Sequence, residues 1–247
     1  MAKGVLLSNG RSWPSQKAAT EYFRQIRDRY ADSVPIDADQ DHSDLLSLLE
    51  RYDAAHHDDE SKIGPGVDFF EVRTNYGSGG PTRGFWVHRI NGTATDFSFP
   101  WAVRGEPKPE AQLFSDACRA AVDHEMKTAK RRFFDTYADD AGRVVCELSG
   151  ERISFETAHL DHAFPSFGAL VITFRAARGW HSAVPVGVLT KPSDAQLTTT
   201  FLDPEVAEAF RVFHRGAATL RVISSFANLA RAAGQRRPKI SRPVTLG

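Results

Sequence analysis

Cysteine is scarce in this chain: Cys118 and Cys146 are the only two among 247 residues. Two thiols cannot build the disulfide framework of a small secreted domain or a multi-cysteine zinc site. Long apolar runs are missing as well. No stretch approaches the roughly 20 apolar residues a membrane-spanning helix requires. The opening MAKGVLLSNGR has too short an apolar core for a secretory signal, so the cytoplasm is the expected compartment and no membrane partner is expected. There is no Gly-x-Ser-x-Gly elbow. The glycine-rich Gly77-Ser78-Gly79-Gly80 lacks the Gly-Lys-Ser/Thr that a phosphate-binding loop needs, and neither cysteine has a partner pattern for thiol catalysis. Net charge is absent too, with 31 basic and 31 acidic side chains.

What is present is ordinary globular material: 41% hydrophobic and 11% aromatic residues, in a length that suits one large domain or two small ones. The balanced total conceals a polarity. Between Asp28 and Glu60 there are eleven acids against two bases, Arg29 and Arg51. After Glu208 there is no acid, yet there are eight bases: Arg211, Arg215, Arg221, Arg231, Arg236, Arg237, Lys239 and Arg242. A basic terminal region can hold a phosphate backbone through charge and counterion release; it can equally be a solvated tail.

Periodicity predicts an α+β fold. Ser15 is placed to cap a helix to about Tyr30, with Ala19, Tyr22, Phe23 and Ile26 on one face, and Leu45 to Tyr52 mark a second, short helix over 43–52. Three strands are expected at 67–73, 84–90 and 93–99, with a glycine-rich hairpin loop at 76–82 and an Asn91-Gly92 turn, giving a small α+β domain with an antiparallel three-stranded meander. Glu106-Pro107-Lys108-Pro109 reads as a boundary. The expected domains are 1–105, a linker helix within 106–140, and a mostly helical domain over 141–247. In that last domain 144–147 and 152–160 read as a hairpin around Ser149-Gly150. Helices are expected at 167–177, 203–215 and 225–233, and a strand at 219–223.

The sharpest constellation is Ala158-His159-Leu160-Asp161-His162 at the end of a predicted strand. A carboxylate is a hard oxygen ligand suited to Mg²⁺ or Mn²⁺, and an imidazole can take a proton from water near neutral pH. Downstream, Leu220-Arg221-Val222-Ile223-Ser224-Ser225-Phe226-Ala227-Asn228-Leu229 reads as a strand feeding a helix that carries Asn228. Together these segments resemble the ββα-metal core of HNH nucleases, and Cys146-Glu147-Leu148-Ser149-Gly150 resembles the Cys-x-x-x-Gly turn that often precedes it. The resemblance implies that His162 is the general base, that Asp161 and Asn228 hold one divalent metal ion, Mg²⁺ or Mn²⁺, and that His214 orients the base. His159 shares a strand face with Asp161, as a ligand or simply as a strand residue. About fifty residues separate His162 from the second strand, so a helical insertion is expected.

The N-terminal part carries a second resemblance. Ser12-Trp13-Pro14-Ser15-Gln16-Lys17, Ile63-Gly64-Pro65-Gly66-Val67, Arg83-Gly84-Phe85-Trp86-Val87 and Thr95-Asp96-Phe97-Ser98-Phe99 are similar to the DCL (defective chloroplasts and leaves) domain over about residues 5–104. It implies a nucleic-acid context and supplies no catalytic residues. Trp86, Phe97, Phe99 and Trp101 are candidates for base stacking, or for the core of a small sheet. The combined expectation is a metal-dependent endonuclease, of restriction type, acting on DNA, with RNA as the second candidate. Arg221, Arg231, Arg236 and Arg237 would clamp flanking phosphates, and double-strand cutting would call for a homodimer. The alternative is a non-catalytic nucleic-acid-binding or RNA-processing factor with a degenerate HNH fold.

Overall fold

The computed structural model describes residues 3–56, 60–77, 80–191, 193, 198–229, 244 and 246. The chain divides into two compact units, Met1–Gln112 with Lys191–Thr199, and Leu113–Thr190 with Thr200–Gly247.

In the first unit, β1 (Val5–Leu6) pairs with β2 (Ser12–Trp13), and α1 (Gln16–Arg29) follows. Ser15 caps that helix, its hydroxyl accepting from the Ala18 N–H at 3.2 Å, and Ala19, Phe23 and Ile26 form the buried stripe. The second helix, α2 (Asp39–Ala55), begins a turn earlier than its apolar stripe predicts. Asp39 and Asp41 lie in its first turn, where carboxylates complement the positive end of the helix dipole. Much of the acidic run is spent on internal bonds. Asp41 accepts from the Tyr30 hydroxyl at 2.9 Å and from Arg29 at 3.1 Å, and Asp44 from the Tyr22 hydroxyl at 2.6 Å and from Asn9 at 2.7 Å. Burial, followed by the Asp44 bond, pushes the Tyr22 phenol up to about 12.

The meander consists of β3 (Val67–Gly77), β4 (Gly80–Arg89) and β5 (Ala94–Phe97), all antiparallel in that order. The hairpin continues further than its glycines suggest, to the pairs Asn75↔Thr82 and Tyr76↔Pro81. Phe70, Val72, Phe85, Val87 and Phe97 alternate onto the face that α1 and α2 cover. Phe99 opens a short helix, α3 (Phe99–Arg104), instead of ending a strand, because Pro100 suits the first helical turn. Of the four stacking candidates, Phe97 and Phe99 are 4% and 6% exposed and belong to the core.

In the second unit, α4 (Glu110–Tyr137) is not a free linker. Its Phe114, Cys118 and Val122 enter one hydrophobic cluster, and its Ala129, Phe133 and Phe134 enter another. The strands β6 (Arg143–Val145) and β7 (Arg152–Ser154) form a hairpin that ends at Ser154, shorter than predicted. A separate strand, β8 (Ala158–Phe164), then runs to α5 (Phe167–Ala177). After it come α6 (Pro204–Ala217), β9 (Thr219–Ser224) and α7 (Ser225–Leu229). β8 pairs antiparallel with β9, so the insertion between them carries α5 and α6. Asp203 caps α6 through the Glu205 N–H at 2.8 Å, with Pro204 in the first turn. No helix among the described residues is long and apolar enough to cross a membrane.

Candidate functional site

The site is built on the β8–β9 ribbon. Regular pairing sets Ala158 opposite Ser224, His159 opposite Ile223, Leu160 opposite Val222, Asp161 opposite Arg221 and His162 opposite Leu220; a bulge follows between His162 and Phe164. Successive strand side chains alternate faces, so His159 and Asp161 share one face with Arg221, and His162 leaves from the other. The register is fixed by Leu160, Leu220 and Val222, which enter the hydrophobic cluster around the end of α4.

On the first face, Asp161 Oδ2 accepts from Arg221 Nε at 3.0 Å, with Asp161 9% and Arg221 2% exposed. Arg221 is therefore an interior residue holding Asp161, and does not serve as the phosphate clamp that the basic tail suggested. On the same face Asn228 of α7 meets His159, with Nδ2 and Nδ1 3.0 Å apart. Sixty-nine residues separate these two side chains, and α7 joins them because it begins immediately after β9. The first turn of α7 is held by the Ser224 hydroxyl, which accepts from the Ala227 N–H at 3.1 Å. Burial, and then the nearby Lys130 ammonium, lower the His159 pKa below that of an ordinary histidine, so its imidazole is neutral near pH 7.

On the second face, His162 Nε2 lies 2.7 Å from His214 Nε2 of α6. The rings are nearly perpendicular, 5.0 Å apart at 67°, and Phe167 packs against both. His162 is 9% exposed and His214 is 0% exposed. Burial lowers the His214 pKa to about 4, so His214 is neutral near pH 7. Its Nδ1 has no hydrogen-bond partner among the described residues, so nothing else there fixes its tautomer.

Cys146 ties the preceding turn to the ribbon. Its Sγ accepts from the Ser149 N–H at 3.4 Å and from the Ser224 N–H at 3.2 Å. Burial works against the thiolate, but the bonds from Ser149, Ser224 and Leu148 prevail and hold the pKa below the ordinary thiol range. The sequence singled out this turn without indicating that it would anchor β9.

Among the described residues, no three His, Cys, Asp or Glu side chains converge around one cation. On one face of the ribbon His159 meets the Asn228 amide, and Asp161, two residues along, is held by Arg221. Of the outlying arginines, Arg211 pairs with Glu208 at 2.7 Å, and Arg215 pairs with Glu125 and Glu208 at 3.0 Å each. Arg231, Arg236 and Arg237 lie outside the described residues. A cleft of about 280 Å³ lined by Arg131, Phe134, Asp135 and Phe155 includes none of the predicted catalytic groups.

Residues 24–103 match the family described as "Protein of unknown function (DUF3223)". A solution NMR structure of an uncharacterized protein from Rhodospirillum rubrum is 30% identical, over 41% of this chain and 89% of that one, with a TM-score of 0.34. No curated protein matches the chain. The DUF3223 match lies within the first unit, so Asp161, His162, His214 and Asn228 are all outside it. Inside the match, the sheet face opposite the core carries Trp86, whose indole N–H donates to Asn75 Oδ1 at 2.9 Å while the Arg73 guanidinium sits 4.6 Å above its ring.

The histidine pair has a measurable acid signature. In the unfolded chain His214 protonates near its ordinary value of about 6.5, whereas in the folded protein it resists protonation down to about 4. The unfolded state therefore binds the extra proton first, and stability falls as pH drops through that window. The expected loss is at most about 3 kcal/mol. Urea unfolding at pH 7 and pH 4.5 measures it, and His214→Leu should remove this part of the pH dependence.

Proposed function

We propose that the chain is a metal-dependent endonuclease that hydrolyses phosphodiester bonds in DNA, with the first unit positioning the nucleic acid. The observation that carries this reading is the strand–strand–helix unit β8–β9–α7, which holds Asp161 and His162 on the first strand and brings Asn228 against that strand from the helix. Asp161 and Asn228 are oxygen donors of the kind that hold Mg²⁺ or Mn²⁺. Such an ion, when bound, supplies Lewis-acid stabilisation of charge on the phosphoryl group and the leaving 3′ oxygen.

The remaining work falls to the chain's own groups. His162 takes a proton from the water whose oxygen attacks phosphorus in line; the new P–O bond forms as the bond to the 3′ oxygen breaks. For His162 to receive that proton at Nδ1, its Nε2 carries hydrogen and donates to His214 Nε2, which stays neutral and so can accept it. Arg221 holds the Asp161 carboxylate in place from within the ribbon. The bulge after His162 is the kind of kink that re-aims a side chain at a strand end. The DCL-like character of the first unit supports a nucleic-acid substrate, and a restriction-type role follows from joining such a unit to a cutting centre.

A second reading is a non-catalytic nucleic-acid-binding protein with a degenerate site. What favours it is that Asp161 and Asn228 each already have a side-chain partner. Incubation with plasmid, modified phage DNA and RNA, with Mg²⁺, Mn²⁺ or EDTA, separates the two. The first predicts cleavage that EDTA abolishes; salt-sensitive binding with no cleavage under any condition would establish the second.

A further inference from the structure

We infer that His159 is a third ligand of the metal centre, and that its nitrogen makes the site select Mn²⁺ or a later transition-metal ion over Mg²⁺. The inference rests on the placement of the metal at Asp161 and Asn228 given above, and adds to it a residue and an ion preference.

Three observations support it. First, His159 and Asp161 project from the same face of β8, two residues apart, in a stretch where the pairing with β9 is regular. Second, His159 Nδ1 stands 3.0 Å from the Asn228 amide. Two donors on adjacent corners of an octahedron, each bonded at about 2.1 Å, stand about 3 Å apart, so the spacing already suits a shared ion. The amide N–H donates to Nδ1, which fixes the tautomer with hydrogen on Nε2 and leaves the Nδ1 lone pair aimed at the amide. A half turn of the amide exchanges its nitrogen for its oxygen, and two electron-pair donors then face the same point. Third, His159 is exposed, so an ion can reach it.

The donor chemistry sets the preference. Two oxygens alone suit Mg²⁺, whereas an imidazole beside them favours ions that bind nitrogen well, in the order Mn²⁺, Co²⁺, Ni²⁺. His162 leaves the other face of the strand and is engaged with His214, so it is not an equivalent nitrogen donor.

The full-length protein is titrated with Mn²⁺ and with Mg²⁺ by calorimetry, and its Mn²⁺ complex is examined by pulsed electron paramagnetic resonance for coupling to ¹⁴N. The wild type should bind Mn²⁺ more tightly than Mg²⁺ and show imidazole nitrogen coupling. His159→Ala should lose that coupling and at least about tenfold in Mn²⁺ affinity, with Mg²⁺ binding little changed. His159→Gln, which returns an oxygen donor, should recover part of the affinity without the coupling. Wild-type Mn²⁺ affinity and coupling in His159→Ala would overturn the assignment of His159. Asp161→Asn distinguishes this from failure of the centre as a whole. If that variant keeps full Mn²⁺ affinity, or if the wild type binds neither ion, the placement of the metal fails and the His159 proposal fails with it.

Discussion

Replacing His162 with alanine is expected to reduce metal-dependent cleavage by about 10²- to 10⁴-fold, the usual loss when a positioned acid–base group is removed. Three features concentrate the effect on this residue. It sits at the end of β8 beside a bulge, it retains 9% exposure where His214 has none, and its Nε2 has a neutral partner 2.7 Å away. The control is binding: His162→Ala should hold DNA with nearly wild-type affinity, because binding depends on charge distributed elsewhere, while melting at a lower temperature, because it leaves the buried His214 Nε2 without its partner. Added imidazole should restore part of the rate if the missing function is proton transfer. Cleavage that survives the substitution would remove His162 from the mechanism.

Arg221→Met should destabilise the second unit by about 3–5 kcal/mol, because it leaves the Asp161 carboxylate in the interior without its guanidinium partner. Methionine preserves much of the volume of the arginine stem, so the loss reports charge more than packing. Asp161→Leu alone should cost a similar amount for the opposite reason, stranding the guanidinium. The double variant Arg221→Met, Asp161→Leu should recover most of the loss, since well-packed apolar residues often replace a buried pair without penalty. Urea unfolding of the four proteins completes the cycle. Additive losses would show that Arg221 and Asp161 do not act as a pair.

The sequence signalled its helices and strands by period, and those signals hold where one face is buried. The stripe Ala19, Phe23, Ile26 and the alternation through Phe70, Val72 and Phe85, Val87 both lie in the core. The strand before α7 was legible from Leu220, Val222 and Ile223, all fully buried. What periodicity cannot convey is which charges meet. Arg221 lies among tail arginines in the sequence and reads as a phosphate contact, yet β-pairing sets it opposite Asp161, sixty residues earlier. Asp41 and Asp44 likewise belong to an acidic run whose partners the sequence does not show, and Tyr22 of α1 and Tyr30 at its C-terminal cap reach them. Phe97 and Phe99 look alike as aromatics on a strand, but Pro100 turns the chain into a helix and both rings face inward. The meeting of His162 with His214 depends on how α6 lies against β8, information that resides in packing and not in local pattern.

The two strands of the ribbon are separated by the whole helical insertion, and Asn228 follows the second of them. Closing so long a loop is entropically costly, and the local helices of the insertion have time to form before it closes. During synthesis, a ribosome that has released β8 still has to deliver more than fifty residues before its partner strand emerges. A prematurely terminated product would therefore carry Asp161 and His162 without the strand and helix that complete them. If the chain is the nuclease proposed above, such fragments would be inert toward the genome of the cell that makes them.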